Sequence, residues 1–139
     1  MNMAHQSILH FQTRGRGTQD ITREVTAVVA ASGIGCGLVQ VFVQHTSCSL
    51  TITENADPDV RRDLDTILQR LAPDGDQAYR HDDEGPDDMA AHVRNVLTDT
   101  GITVPVGEGR MLLGTWQGIY LWEHRLAPHR RSVVVTVIG

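Results

Sequence analysis

Apolar and polar positions recur with readable periods along most of this chain. Alternation over residues 7–13 predicts a first strand, ended by the Gly/Arg turn at residues 14–17. Ile21, Val25, Val28 and Val29 then repeat at i, i+4, i+7 and i+8, the spacing of a helix that stops near Gly33. Two strands follow, 37–45 and 49–54, joined by the corner His45-Thr-Ser-Cys48. Asp57-Pro58 reads as a helix start, with Asp as the N-cap and Pro at the first helical position. Val60, Leu64, Ile67, Leu68 and Leu71 give that helix one apolar face, closed by Pro73. An acidic loop over 73–86 leads to a third helix with Met89, Val93, Val96 and Leu97 turned inward. From Gly101 the pattern is β, over 102–106, 110–116, 119–123 and 132–138. Strands surround a helical middle, and the late strands have short connections. The expectation is a compact single domain over residues 1–139, α+β in class, with a largely antiparallel sheet packed with helices.

Composition agrees with one globular unit. At 139 residues, with 40% hydrophobic and 21% charged positions, the chain can bury a core without staples. Its net charge of −5 is local, because seven of the 17 acids fall between Asp74 and Asp88 beside a single Arg80. The remainder carries 10 acids against 11 Arg and is near neutral. No basic face for nucleic acid is expected. Every base is Arg, so Schiff-base chemistry on Lys is excluded. Cys36 and Cys48 read as free thiols. No apolar run is long enough to span a bilayer, and Met1-Asn-Met-Ala-His lacks a signal-peptide core. The expected location is the cytoplasm, with no membrane partner.

Seven histidines give the chemistry its first candidates. His45 follows apolar Val39, Val41 and Val43 at strand parity, which points it toward the core side. His92 falls about 40° from Val96 on the third helix, and His81 precedes that helix in the acidic loop. The three rings could converge on a metal with an open position; each alone reads equally as a hydrogen-bonded histidine. His5, His10 and His129 read as surface. Glu123 shares parity with Ile119 and Leu121, which places a carboxylate on an apolar face and demands a partner, with Arg110 or Arg125 as structural alternatives. Thr115 and Gln117 share that face if the strand is unbroken at Gly118. Glu54 and Asn55 stand where a strand passes into a helix, beside the N-cap Asp57. Ser47 and Cys48 adjoin His45 in sequence, but neighbouring strand positions face apart, which argues against a nucleophile–base pair. The segment Gly107-Glu-Gly-Arg110 is a hairpin turn before it is an anion cradle.

Four blocks carry a resemblance: His45-Thr-Ser-Cys-Ser-Leu-Thr-Ile-Thr-Glu-Asn-Ala-Asp57, Tyr79-Arg-His-Asp-Asp-Glu-Gly-Pro-Asp-Asp-Met-Ala-Ala-His92, Val104-Pro-Val106 and Leu113-Gly-Thr-Trp-Gln-Gly-Ile-Tyr-Leu121. They resemble the YjbQ-like family, an uncharacterised protein family also called the secondary thiamine-phosphate synthase family, over nearly the whole chain. The resemblance implies a homotrimer with sites near subunit boundaries, and His45, His81 and His92 as holders of a metal. It leaves His124 outside that set. It also implies thiamine phosphate synthesis from a pyrimidine diphosphate and a thiazole phosphate. Imidazole ligands suit a Zn-like divalent ion, while Mg²⁺ would suit the diphosphate. On this reading Glu54 or Glu123 is the acid or base, with Gln117 beside them. Ser47, Asn55, Arg110 and Thr115 orient a small anionic or phosphorylated substrate. The alternatives are a non-catalytic trimeric metal- or anion-binding protein, and a trimer whose polar residues merely satisfy one another.

Overall fold

The computed structural model describes residues 3–139. Met1 and Asn2, part of the stretch read above for a leader, lie outside the described residues. Eight strands and three helices follow in order: β1 (Ala4–Gln12), β2 (Gly17–Asp20), α1 (Thr22–Ser32), β3 (Gly37–Val43), β4 (Cys48–Glu54), α2 (Pro58–Leu71), α3 (Asp88–Leu97), β5 (Gly101–Gly107), β6 (Arg110–Met111), β7 (Gln117–Glu123) and β8 (Arg130–Ile138). They form a five-stranded sheet, β1-β8-β3-β5-β6, and a three-stranded sheet, β2-β7-β4, antiparallel throughout. This is the expected α+β class.

Alternation decides the layering. Val39, Val41 and Val43 of β3, Val104 and Val106 of β5, and Val133, Val135 and Val137 of β8 all point inward and are buried. Each such Val contributes roughly 1.5–3 kcal/mol through burial. Their cover is Leu50, Ile119 and Leu121 of the small sheet with Ile21, Val25 and Val29 at α1. The opposite face of the large sheet leaves Ile8, Leu38, Phe42 and Ile138 exposed. Strand β7, central in its sheet, is buried on both faces from Gly118 to Glu123.

Four elements depart from the expected pattern. Strand β6 stops at Met111 rather than reaching residue 116. The turn at Glu108 and Gly109 (φ 52° and 76°) is the tight hairpin anticipated, but β6 is an edge strand and the chain leaves it after two residues. Helix α3 is rotated: Asp88, Ala90, Ala91 and Arg94 face in, while Val96 and Leu97 are 81% and 54% exposed. The buried bonds of Asp88 to Arg125, His81 and His92 hold this face inward against the pull of the apolar arc. Helix α2 buries only Leu68, with Ile67 and Leu71 open to solvent. Its cap is as read, since the Asp57 side chain accepts from the Asp59 amide at 2.9 Å. Strand β2, with the polar sequence Gly-Thr-Gln-Asp, has no apolar alternation to announce it and is recruited by pairing with β7.

Candidate functional site

Asp88 and His92 are four residues apart on α3 and so share a face; the loop 73–87 returns His81 over it. Asp88 Oδ2 lies 2.7 Å from His81 Nε2 and 3.1 Å from His92 Nε2. One ligand atom from each of the three residues falls within 4.8 Å of the others. The carboxylate is buried while both rings reach solvent. Arg125 anchors it from behind, with Nη1 donating to Asp88 Oδ1 and Nε to Asp87 Oδ2, both at 2.9 Å. One guanidinium against two carboxylates leaves a formal −1, which a proton or a cation would balance.

Hydrogen-bond roles sharpen this. The Thr46 carbonyl can only accept, so His92 Nδ1, 2.9 Å away, carries the proton there. His92 Nε2 then faces the same carboxylate oxygen as His81 Nε2, and a proton or a cation between each nitrogen and Asp88 Oδ2 would satisfy all three. The bond to Asp88 raises the His81 pKa above its usual value. Burial alone would raise the Asp88 pKa, but the bond from His81 and the charges of His92 and Arg125 outweigh it and hold the carboxyl below its usual range.

The structure parts His45 from the other two imidazoles. Residue 45 lies beyond the end of β3 at Val43, where strand parity no longer sets its direction. Its Nε2 accepts from the Ser132 amide at 2.8 Å. Burial, then the charge of Arg131, holds its pKa below the usual value. In this chain Asp88, not His45, completes the trio.

Glu123 is also corrected. It is buried at the expected parity, but its partner is Arg131 rather than Arg110 or Arg125. The carboxylate accepts from Arg131 Nε and Nη2, from Thr13 Oγ1 at 2.7 Å, and from the amides of His124 and Arg125. Burial pushes its pKa up, yet the bonds from Arg131 and Thr13 bring it below its usual value. A group so occupied serves as an ion-pair anchor, not as acid or base. Arg131 Nη2 also reaches Ser47 Oγ at 3.0 Å, so Ser47 belongs to that anchor. Burial pushes the neighbouring Cys48 thiol up to about 12, which leaves it inert.

Glu54, Asn55, Thr115 and Gln117 gather elsewhere. Glu54 pairs with Gln117 across β4 and β7, while Cys48 pairs with Glu123 at the other end. Six strand steps separate the two ends, about 20 Å. There Glu54 Oε2 accepts from the Ala56 and Asp57 amides, Asn55 Nδ2 donates to the Thr115 carbonyl, and Gln117 Oε1 accepts from the Gly114 amide. Arg110 is exposed on β6, in the other sheet.

Sequence reasoning missed Asp88 and Asp87, and gave Arg125 to Glu123 rather than to them. The pair Asp88-x-x-x-His92 carried a signal, since i, i+4 spacing aligns two ligands; the apolar arc drew attention to the wrong face. A cavity of about 480 Å³ adjoins His81, with Tyr79, Asp76 and Asp82 in its wall. Another of about 420 Å³ lies under the turn from Arg14 to Gly17 and reaches Thr13 and Glu123 instead.

Comparison with known proteins places the chain in a family. Residues 7–139 match the pattern of the family described as UPF0047 protein YjbQ-like. The UPF0047 protein sll1880 of Synechocystis is 50% identical over 135 residues, covering 97% of this chain and 92% of its own. The UPF0047 protein YjbQ of Escherichia coli O157:H7 is 39% identical, covering 99% of each chain. A crystal structure of an uncharacterised conserved protein of the yjbq/upf0047 family from Clostridium acetobutylicum is 36% identical, with a TM-score of 0.87 over 94% of this chain and 98% of that one. The agreement spans nearly the whole chain in both sequence and fold, and the chain therefore belongs to the UPF0047 family of YjbQ-like proteins.

Proposed function

We propose that the protein is a divalent-metal-dependent enzyme centred on His81, Asp88 and His92. The observation that carries this is the convergence of His81 Nε2 and His92 Nε2 on the buried Asp88 Oδ2, with His92 Nδ1 at the Thr46 carbonyl. Two imidazoles and a carboxylate, with His92 braced by the Thr46 carbonyl and Asp88 by Arg125, form the donor set of a Zn- or Fe-type site with positions left for substrate. A bound divalent ion would supply Lewis-acid stabilisation of charge developing on a substrate oxygen. Arg125 holds Asp88 in place, and the 480 Å³ cavity beside His81 gives a substrate room next to the site.

The reaction to test first is thiamine phosphate synthesis, which the family resemblance supplies. The C–O bond of the pyrimidine diphosphate breaks, pyrophosphate leaves with the electron pair, and the thiazole nitrogen attacks the resulting carbocation. Asp76 and Asp82 in the cavity wall favour a substrate portion that gains positive charge. The working form in this reading is a homotrimer. Exposed Ile8, Leu38, Phe42 and Ile138 supply apolar area for assembly.

Purified protein incubated with metal, pyrimidine diphosphate and thiazole phosphate should form thiamine phosphate and pyrophosphate. His92→Ala and Asp88→Asn should lower the rate at least about 100-fold, on the order of losing metal-site organisation. Stoichiometric metal with no turnover would favour the non-catalytic binding protein. An equal rate in every variant would discard the site.

A further inference from the structure

The corner His45-Thr-Ser-Cys48 opens the first of the sequence blocks singled out above, yet none of its side chains belongs to the His81–Asp88–His92 cluster. Its backbone is what reaches the cluster. The Thr46 carbonyl meets His92 Nδ1 at 2.9 Å. The Cys48 carbonyl accepts from Asn95 Nδ2 at 2.6 Å, and the His45 carbonyl lies 3.5 Å from the same nitrogen. The Ser47 carbonyl goes instead to the Glu123 anchor, accepting from Arg131 Nη2 at 3.2 Å and from the His124 amide at 3.3 Å. Every carbonyl of the corner therefore has a stated partner. His92 and Asn95, three residues apart and so neighbours on α3, take three of the four.

The direction of the Thr46 carbonyl matters because of the His92 ring. A neutral imidazole has one N–H to give, and two acceptors compete for it: the Thr46 carbonyl at Nδ1 and the Asp88 carboxylate at Nε2. Only the Nδ1–H form leaves Nε2 free to bind a metal ion. A Thr46 carbonyl free to turn away would release the proton to Asp88 and block that nitrogen. Asn95 opposes such a turn, since its amide holds the chain on both sides of Thr46.

We infer that Asn95 is a positioning residue for His92, fixing the Thr46 carbonyl and through it the Nδ1–H form of the ring. The role rests on the metal site proposed above and extends it to a residue that touches neither metal nor substrate. Thr98, three residues further along α3, supplies an internal contrast. Its Oγ1 lies 2.6 Å from Ser49 Oγ and 2.7 Å from the Arg94 carbonyl, so it ties α3 to β4 without touching the corner's carbonyls.

Two readouts on the whole chain test this, with Asn95→Leu removing the amide at similar size and Thr98→Val as the comparison. Ring ¹⁵N spectra of metal-free protein at mildly alkaline pH should place the His92 proton on Nδ1 in wild type and in Thr98→Val, and shift it toward Nε2 in Asn95→Leu. Zn²⁺ affinity, read by competition with a chelator, should fall about 10–100-fold in Asn95→Leu. Thr98→Val should bind Zn²⁺ as tightly as wild type even where urea unfolds it sooner. Identical His92 spectra in wild type and Asn95→Leu overturn the inference, and so does equal Zn²⁺ affinity. A loss as large in Thr98→Val overturns it too, because Asn95 would then be no more than one of several ties. Wild type without Zn²⁺ affinity would defeat the metal reading instead, and the metal-free spectra would decide the role of Asn95 by themselves. Should Asn95→Leu fail to fold, Asn95→Ser takes its place, its hydroxyl one bond short of where the amide nitrogen stood.

Discussion

Single side chains in this protein are understood through what they are bonded to, and Glu123 is the plainest case. Parity alone reads it as buried, and burial reads it as needing a partner. Which partner was not legible, because Arg131 comes from β8, in the other sheet, and only the packing of the two sheets brings it across. Removing Arg131 strands a buried carboxylate. Arg131→Met should therefore cost about 3–5 kcal/mol in urea unfolding at pH 7. A loss under about 1 kcal/mol would mean that the pair is not what holds Glu123. His124 makes a prediction in pH. Its folded pKa is lowered from 6.5 to about 3, by burial and then by the charges of Arg94, Arg16 and Arg131. The unfolded ring binds a proton below its ordinary value and the folded ring does not. Its contribution to stability is accordingly present above 6.5 and lost as pH falls toward 3. Between pH 7 and 5 that amounts to about 2 kcal/mol. His124→Gln should flatten the denaturant midpoint over this interval relative to wild type; parallel curves would contradict a neutral buried ring.

Elements were more legible than residues wherever a period was strong. Val39, Val41 and Val43 set β3 with its inner face, and Asp57-Pro58 set the start of α2. The cap is testable in isolation. Asp57→Ala should destabilise by about 0.5–2 kcal/mol, because the Asp59 amide loses its acceptor. An unchanged unfolding curve would show that α2 does not depend on it. Two kinds of element escaped. Strand β2 is polar and exists through pairing with β7, a non-local cause that no local pattern records. Helix α3 has a readable apolar arc whose end, Val96 and Leu97, the fold leaves exposed, because Asp88, bonded to Arg125, His81 and His92, is held on the inner face. That rotation decides the candidate site. It turns Asp88 inward beneath two imidazoles and puts the apolar arc on the surface.

At the scale of the whole molecule, residues read as one site divide between the two ends of the small sheet. His81, Asp88, His92 and Arg125 stand by the Cys48–Glu123 end, while Glu54, Asn55, Thr115 and Gln117 stand by the Glu54–Gln117 end. Apart from Arg125, the residues of both groups lie in the sequence blocks that carry the family resemblance, so motif reading alone merges them. Only the register of β4 on β7 tells them apart. The central claim is that the first group holds a divalent ion, with Asp88 at its centre. The most direct measurement is metal content per chain after exposure to Zn²⁺ and exhaustive dialysis, on wild type and on Asp88→Asn with matched circular dichroism. Wild type should retain close to one equivalent and Asp88→Asn almost none. Metal-free wild type, or an Asp88→Asn protein that retains as much as wild type, would contradict the account.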